Sequence, residues 1–416
     1  MSLGQREKSL RDRACEVIPG GLWGHMNVNG FGSDYPQFFE RADGCELTDV
    51  NGRSYVDFMC AWGPMILGHH HAGVEAAAAK QRALGDAMNG AAPVLVDLAE
   101  LIVATIPFAD WAMFQKNGTD ATTACVTIAR AGTNKRKILA ARGSYHGAVP
   151  WCTPSLAGVT AEDRAHIIQF EYNDLDSLAA AAKAADGDLA AIIVTAFKHE
   201  LGVDASMPTP EFASLARQIC DATGAALIVD DVRAGFRLDL RGSWAALGVE
   251  PDLSAFSKAI ANGYPLSAVV GNNRFRAPAS YGQVFVTGSF WYGAVSMAAA
   301  IATISTLRDE HIIEHTSAMG QRLRDGLAGL AHQYGVGLRQ TGPAQMPMVL
   351  FDEDPERVRG LAFCYAALAA GAYFHPRHNM FLCGAHTPAH IDKALEAAEV
   401  GMKAAVKIGV REATTA

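Results

Sequence analysis

The sequence predicts an α/β protein built on a mostly parallel sheet, with a smaller α+β region beside it, and three patterns carry that expectation. From Ala61 to Ser305, short apolar runs bounded by turn residues alternate with helix-period segments, the signature of βαβ units. Residues 1–60 read instead as short strands joined by tight turns. Residues 306–416 carry long helical periods around a strand-like middle.

In chain order, F-F-E-R-A-D-G-C-E-L-T-D-V-N-G-R-S-Y-V-D-F (38–58) predicts an antiparallel hairpin region with D-G and N-G turns. Ala121, Ala124, Cys125, Ile128 and Ala129 fall at helical spacing, and Phe212, Leu215, Ala216, Ile219 and Cys220 repeat it. Thr209-Pro210 opens that second helix as cap and first-turn proline, and Thr223-Gly224 closes it. A-A-I-I-V-T-A-F (190–197) and A-A-L-I-V (225–229) suit strands buried on both faces, so the second must run directly into Asp230. Helical patterns are expected over Thr306–Tyr334 and Ala389–Val406.

Of 416 residues, 35 are Lys or Arg and 43 Asp or Glu, a formal charge of −8 that argues against a nucleic-acid partner. Half are apolar and 19% charged, which excludes general disorder. The longest apolar stretch, Leu361–Phe374, is 14 residues and too short to span a membrane. A polar, basic N-terminus without an apolar core points to a cytoplasmic protein. Eight cysteines with no C-x-x-C pair read as reduced thiols and support neither a zinc ribbon nor a disulfide scaffold.

The chemistry concentrates in V-D-D-V-R-A-G-F-R (229–237) and S-A-F-S-K-A-I-A-N-G-Y-P-L-S-A (254–268). Ligands of open parallel sheets bind beyond the carboxyl ends of the strands, where Asp230 should lie, and Lys258 follows another short apolar stretch. One ligand that needs both groups is pyridoxal phosphate, which takes a lysine amine as a Schiff base and an acid against its ring nitrogen. K-N-G-T-D-A (116–121) follows a strand-like W-A-M-F and opens a helix, offering backbone N–H groups to the phosphate.

These motifs resemble the class III pyridoxal-phosphate aminotransferases of fold type I, in the branch that includes glutamate-1-semialdehyde aminomutase. P-G-G (19–21), A-W-G-P-M-I-L-G-H (61–69), N-G-T-D-A, S-Y-H-G (144–147), D-D-V-R-A-G-F-R and T-G-S-F (287–290) carry the likeness in order over nearly the whole chain. Within the branch, D-W-A-M-F, A-N-G-Y-P, F-V-T-G-S-F-W, Q-T-G-P-A-Q-M-P and H-N-M-F-L are most similar to the fumonisin-type amine aminotransferases.

The resemblance implies a large cofactor-binding domain over 61–305 and a small domain formed by 306–416 together with 1–60. It implies that Lys258 forms the Schiff base, Asp230 pairs with the pyridine nitrogen, and Val232 and Tyr145 cover the two ring faces. Gly118 and Thr119 would bind the phosphate, and Ser289 stands where a threonine usually reaches the partner subunit's phosphate, implying a homodimer with shared sites. The reaction implied is a ping-pong transfer from an amine lacking an α-carboxylate to a keto acid, pyruvate. Trp62, Asn27, Arg377 and His378 are the candidate substrate residues.

Departures from the family pattern matter as much. Asn27 replaces the arginine that holds the aminomutase's substrate carboxylate, which weakens the alternative of a 2,1-aminomutase. Asp231 stands for the usual Glu, and Thr195-Ala196 for Glu-Pro, so hydrogen bonding around the cofactor must differ. A cofactor-binding protein without turnover is a further alternative, which retention of Lys258 and Asp230 opposes.

His311-Ile312-Ile313-Glu314-His315 matches a zinc-binding H-x-x-E-H, but its charged neighbours read as a solvated helix face, so no metal is expected. His69, His70 and His71 are consecutive, diverge on any regular element, and read as a turn before an alanine-rich helix.

Overall fold

A computed structural model describes residues 4–27, 30–31 and 35–414, with side chains to residue 408. The hairpin region forms β1 (Phe39–Asp43), β2 (Glu46–Asp49) and β3 (Ser54–Asp57), paired antiparallel in sequence order. Gly44 (φ 51°) and Gly52 (φ 83°) take the left-handed conformations that the D-G and N-G turns demand.

The central sheet contains β4 (Trp111–Gln115), β5 (Lys137–Ala141), β6 (Ile167–Phe170), β7 (Leu189–Thr195), β8 (Ala226–Asp230), β9 (Leu253–Phe256) and β10 (Ser267–Gly271). Its order is β4-β10-β9-β8-β7-β5-β6, parallel from β9 through β6, with β10 antiparallel to both neighbours. β4 therefore points the same way as β8 and β9. The carboxyl ends of all three lie at one edge of the sheet, the side on which open sheets of this kind bind their ligands.

Every residue of β7 and β8 is buried, as expected for strands covered on both faces. Alternate side chains serve opposite layers. Ile193 and Ile228 pack with Ala121, Cys125 and Ile128 of the helix Gly118–Thr133, whereas Ile192, Leu227 and Val229 pack with Phe212, Ala216 and Cys220 of the helix Pro210–Thr223. The second helix is capped as the sequence dictates. The Thr209 side chain accepts from Phe212 N, and Gly224 closes it at φ 70°.

The helix Ala294–Asp309 runs through residues 305 and 306, and helical structure is interrupted at Glu310–His311, where His311 takes φ 51°. The helix Ile312–Tyr334 follows, then the antiparallel pair β11 (Leu338–Thr341) and β12 (Met348–Phe351). The strand-like middle is only partly strand. Val358–Ala369 is a helix, because an apolar, alanine-rich run of this length suits three turns against a core better than a strand. β13 (Ala372–Tyr373) then pairs in parallel with β3, so the two ends of the chain share one sheet, and the helix Pro388–Thr414 packs across it. Among the described residues no helix is long and apolar enough to cross a membrane.

Candidate active site

Asp230 is the last residue of β8 and its carboxylate is held on both oxygens. Val232 N donates to Oδ1 at 3.1 Å and His146 Nδ1 lies 2.8 Å from Oδ2. The backbone of His146 is itself fixed, since its carbonyl accepts the Thr122 hydroxyl at 2.6 Å. Because Oδ2 is an acceptor, Nδ1 carries the proton. His146 Nε2 is buried with no partner among the described residues.

Lys258 begins the turn after β9 in a left-handed conformation (φ 47°), and its Nζ donates to the carbonyl of Trp62 at 3.1 Å. Burial, and behind it the like charge of Arg233, bring its ammonium down to about 7; Asp230 pulls the other way and Arg237 adds to the depression. A substantial fraction is therefore free amine near neutrality.

The third component is the start of the helix Gly118–Thr133. Asn117 caps it by accepting from Asp120 N at 3.1 Å while Asp120 accepts from Asn117 N, which leaves the N–H groups of Gly118 and Thr119 at the open end. Gly118 is required here, since a Cβ would stand 2.6 Å from Val232 Cγ1. Gly147, at φ 135°, approaches Thr119 so closely that a Cβ would lie 2.7 Å from the Thr119 hydroxyl. Backbone thus crowds toward a small anion-binding concavity.

Lys258, Asp230, Val232, Tyr145, Gly118 and Thr119 all line one cavity of about 310 Å³. An amine, a fixed carboxylate and a helix N-terminus facing one cavity of this size fit pyridoxal phosphate. Ser289 is exposed and does not line this cavity. Trp62 reaches it through its carbonyl, and its ring stands edge-on to His378 and His375 at 5.1 and 5.2 Å. His378 borders the site through Arg233, whose Nη1 donates to its Nε2 at 2.8 Å. Arg377 turns away. Its guanidinium lies 5.0 Å over the Phe31 ring and donates to Gly30 O. Asn27 is exposed, and its carbonyl accepts from the Gln37 side chain.

Four basic lining residues stand outside the sequence assignments: His146, Lys116, His199 and Arg233. His146 sits in the S-Y-H-G motif and Arg233 three residues after Asp230, so both signals were in view. Burial, then Arg233, holds His199 and His378 well below the ordinary histidine range, so both are neutral. The zinc-like residues have a structural use. His315 Nε2 donates to the carbonyl of His386 at 2.7 Å, and among the described residues no cluster could hold a metal. His69 bonds Asp57 and His71 precedes the helix Ala72–Leu84, the turn expected there.

The aminotransferase class-III family profile matches residues 31–402, and the chain belongs to that family of pyridoxal-phosphate-dependent enzymes. It is 48% identical to the aminopentol aminotransferase of Sphingopyxis macrogoltabida over 98% of this chain and 96% of the other. The structure of the FumI protein of Sphingopyxis sp. MTA144, in its PLP internal aldimine form, superposes with a TM-score of 0.96 at 48% identity, covering 97% of each chain. The 3-aminobutyryl-CoA aminotransferase of Cloacimonas acidaminovorans (strain Evry) is 32% identical over 94% of this chain and 95% of its own. Fold type I, the aminotransferase class and the cofactor are thus as the motifs implied.

Proposed function

We propose that this aminotransferase moves an amino group from a long, largely apolar amine lacking an α-carboxylate to pyruvate, in two half-reactions, as a homodimer. The observation that carries the reading is the Lys258 amine, brought to about 7 inside a cavity that also holds the fixed Asp230 carboxylate. Nearly half of the chain's residues are shared with an aminopentol aminotransferase, which supports the donor class. The exposed Asn27 and the outward Arg377 are not placed to hold a donor carboxylate, which suits an amine without one.

Bound in this cavity, pyridoxal phosphate supplies an aldehyde for the amine and an electron-withdrawing ring. Gly118 and Thr119 would hold the phosphate with backbone N–H groups, and Val232 and Tyr145 would wall the ring. Asp230, fixed by the His146 and Val232 N–H groups, would hold a proton at the ring nitrogen. Lys258 is the attachment point. Its free amine would carry a proton from the donor carbon to the cofactor side, for which a proton affinity near neutrality is suited. Ser289, exposed on its own chain, completes the phosphate site of the partner.

The test is incubation of holoenzyme with pyruvate and a panel of long-chain amines. Alanine should accumulate in step with amine loss. Absence of alanine from every donor overturns the reading, and rearrangement of an amine without any acceptor makes the protein an aminomutase.

A further inference from the structure

A two-substrate site of this kind faces a charge problem: its donor brings no carboxylate, its acceptor does. Among the cavity-lining residues, Lys116, Lys258 and Arg233 are cationic and only Asp230 is anionic. Lys116 belongs to the phosphate end, between β4 and the helix start, next to Gly293. Arg233 stands on another wall and is anchored by the C-terminal segment, through His378 and the Asn379 side chain.

Those partners are neutral. His378 Nδ1 donates to the carbonyl of Asn379 at 2.6 Å, so its Nε2 is the acceptor that Arg233 Nη1 meets. Among the described residues Arg233 forms no ion pair, and only Nη1 has a protein partner. Nε and Nη2, the side-on edge of the guanidinium, remain for a ligand. Arg237, four residues on, shows the contrast. It too has no carboxylate partner, but it is fully buried, donates to the carbonyls of Leu382 and Gly63 beside the Phe381 ring and does not line the cavity. Arg237 is a structural strut, whereas Arg233 is a fixed, half-buried fork with an unspent charge.

We propose that Arg233 is the anchor for the carboxylate of the amino-group acceptor, taking its two oxygens on Nε and Nη2. The inference rests on the keto-acid reading above and explains how one cavity serves both substrates. The donor needs no anion site, and the acceptor finds one already oriented by His378 and Asn379. His378 is then a positioning residue that acts through Arg233.

Oxamate, an unreactive isostere of pyruvate, separates the possibilities when titrated into holoenzyme by calorimetry. Arg233→Gln should weaken oxamate by about 30-fold or more, the scale of a lost charge-assisted pair. Arg233→Lys, which keeps the charge but not the fork, should recover part of it. The melting temperature and the cofactor absorption band should stay as in the wild type. Unchanged oxamate affinity in Arg233→Gln overturns the proposal. So does a displaced absorption band, or loss of cofactor, accompanying the weaker binding, because the anion held by Arg233 is then the cofactor's own ring oxygen. Failure of the broader reading looks different: wild-type holoenzyme binds oxamate through Arg233 yet forms no alanine from pyruvate.

Discussion

The wall of the cavity and the wall of rings beside it are built in different ways. On one, Asp230, Lys258 and the Gly118–Thr119 corner each sit at or just past the end of a strand of the central sheet, and the residues that fix Asp230 and the helix start do so through short polar bonds. On the other, Trp62, His375 and His378 meet ring to ring at 5.1–5.9 Å from segments more than 300 residues apart. That second wall rests on a strained turn. Cys60, Ala61 and Trp62 have φ of 45°, 53° and 66°, a left-handed run without glycine that ends at Gly63 with φ 106°. Groups that hold charge and protons stand on the rigid edge of the sheet, and the rings that the proposed function sets around a substrate stand on the assembled side. The bond from Lys258 Nζ to the Trp62 carbonyl joins the two.

The comparison breaks most completely at Lys258. Lys258→Ala should abolish transfer and the borohydride-reducible link to the coenzyme, read by mass spectrometry; residual turnover with the coenzyme attached elsewhere would move the chemistry off the strand ends. Asp230→Asn should keep the cofactor and slow transfer by about 10²- to 10³-fold, since a charge placed against the ring in a sheltered site contributes several kcal/mol. Normal turnover of Asp230→Asn would show that the electron sink does not depend on this carboxylate.

The strand-end wall is also where pH acts. Lys258 attacks only as free amine, so uptake of pyridoxal phosphate by the apoprotein, followed by absorbance, should rise with pH through a midpoint at about 7. Removing the like charge in Arg233→Gln relieves part of the depression, so the midpoint should move upward, toward the ordinary lysine range. A midpoint that stays put would mean burial alone sets the amine. On the assembled wall, Gly63→Ala forces a Cβ to 2.9 Å from Phe381 Cε1 at a φ foreign to L-residues, and should cost about 1–3 kcal/mol in denaturant unfolding.

The same division decides what could be read without coordinates. Strands β7 and β8, the capped helix Pro210–Thr223 and the D-G and N-G turns follow from local chemistry, and so does the arrival of Asp230 at a strand end. The helix Val358–Ala369 was hidden because a continuous apolar run fits a buried strand or a buried helix, and only packing against the helix Pro388–Thr414 decides. Arg233 and His378 are 145 residues apart, and no periodicity announces that one orients the other. Arg377 and His378 are adjacent in sequence, but only the second faces Arg233, a choice made by the turn in which both N–H groups donate to His375 Nδ1.

Trp62 gives the smallest and most discriminating test, because it takes part in both walls with different atoms. Its carbonyl receives Lys258, and its indole ring, with Nε1 3.2 Å from Met26 Sδ, packs against His25 at 4.3 Å and against the two C-terminal histidines. Trp62→Phe leaves the main-chain carbonyl in place and shortens only the ring. If the walls divide the work as their construction implies, kcat should change less than about 3-fold while KM for the long amine rises by about 3- to 10-fold, the equivalent of one trimmed apolar contact. An equal fall in kcat and kcat/KM would place the indole ring in the transition state itself, and the turn of Cys60–Gly63 would then belong with the chemistry.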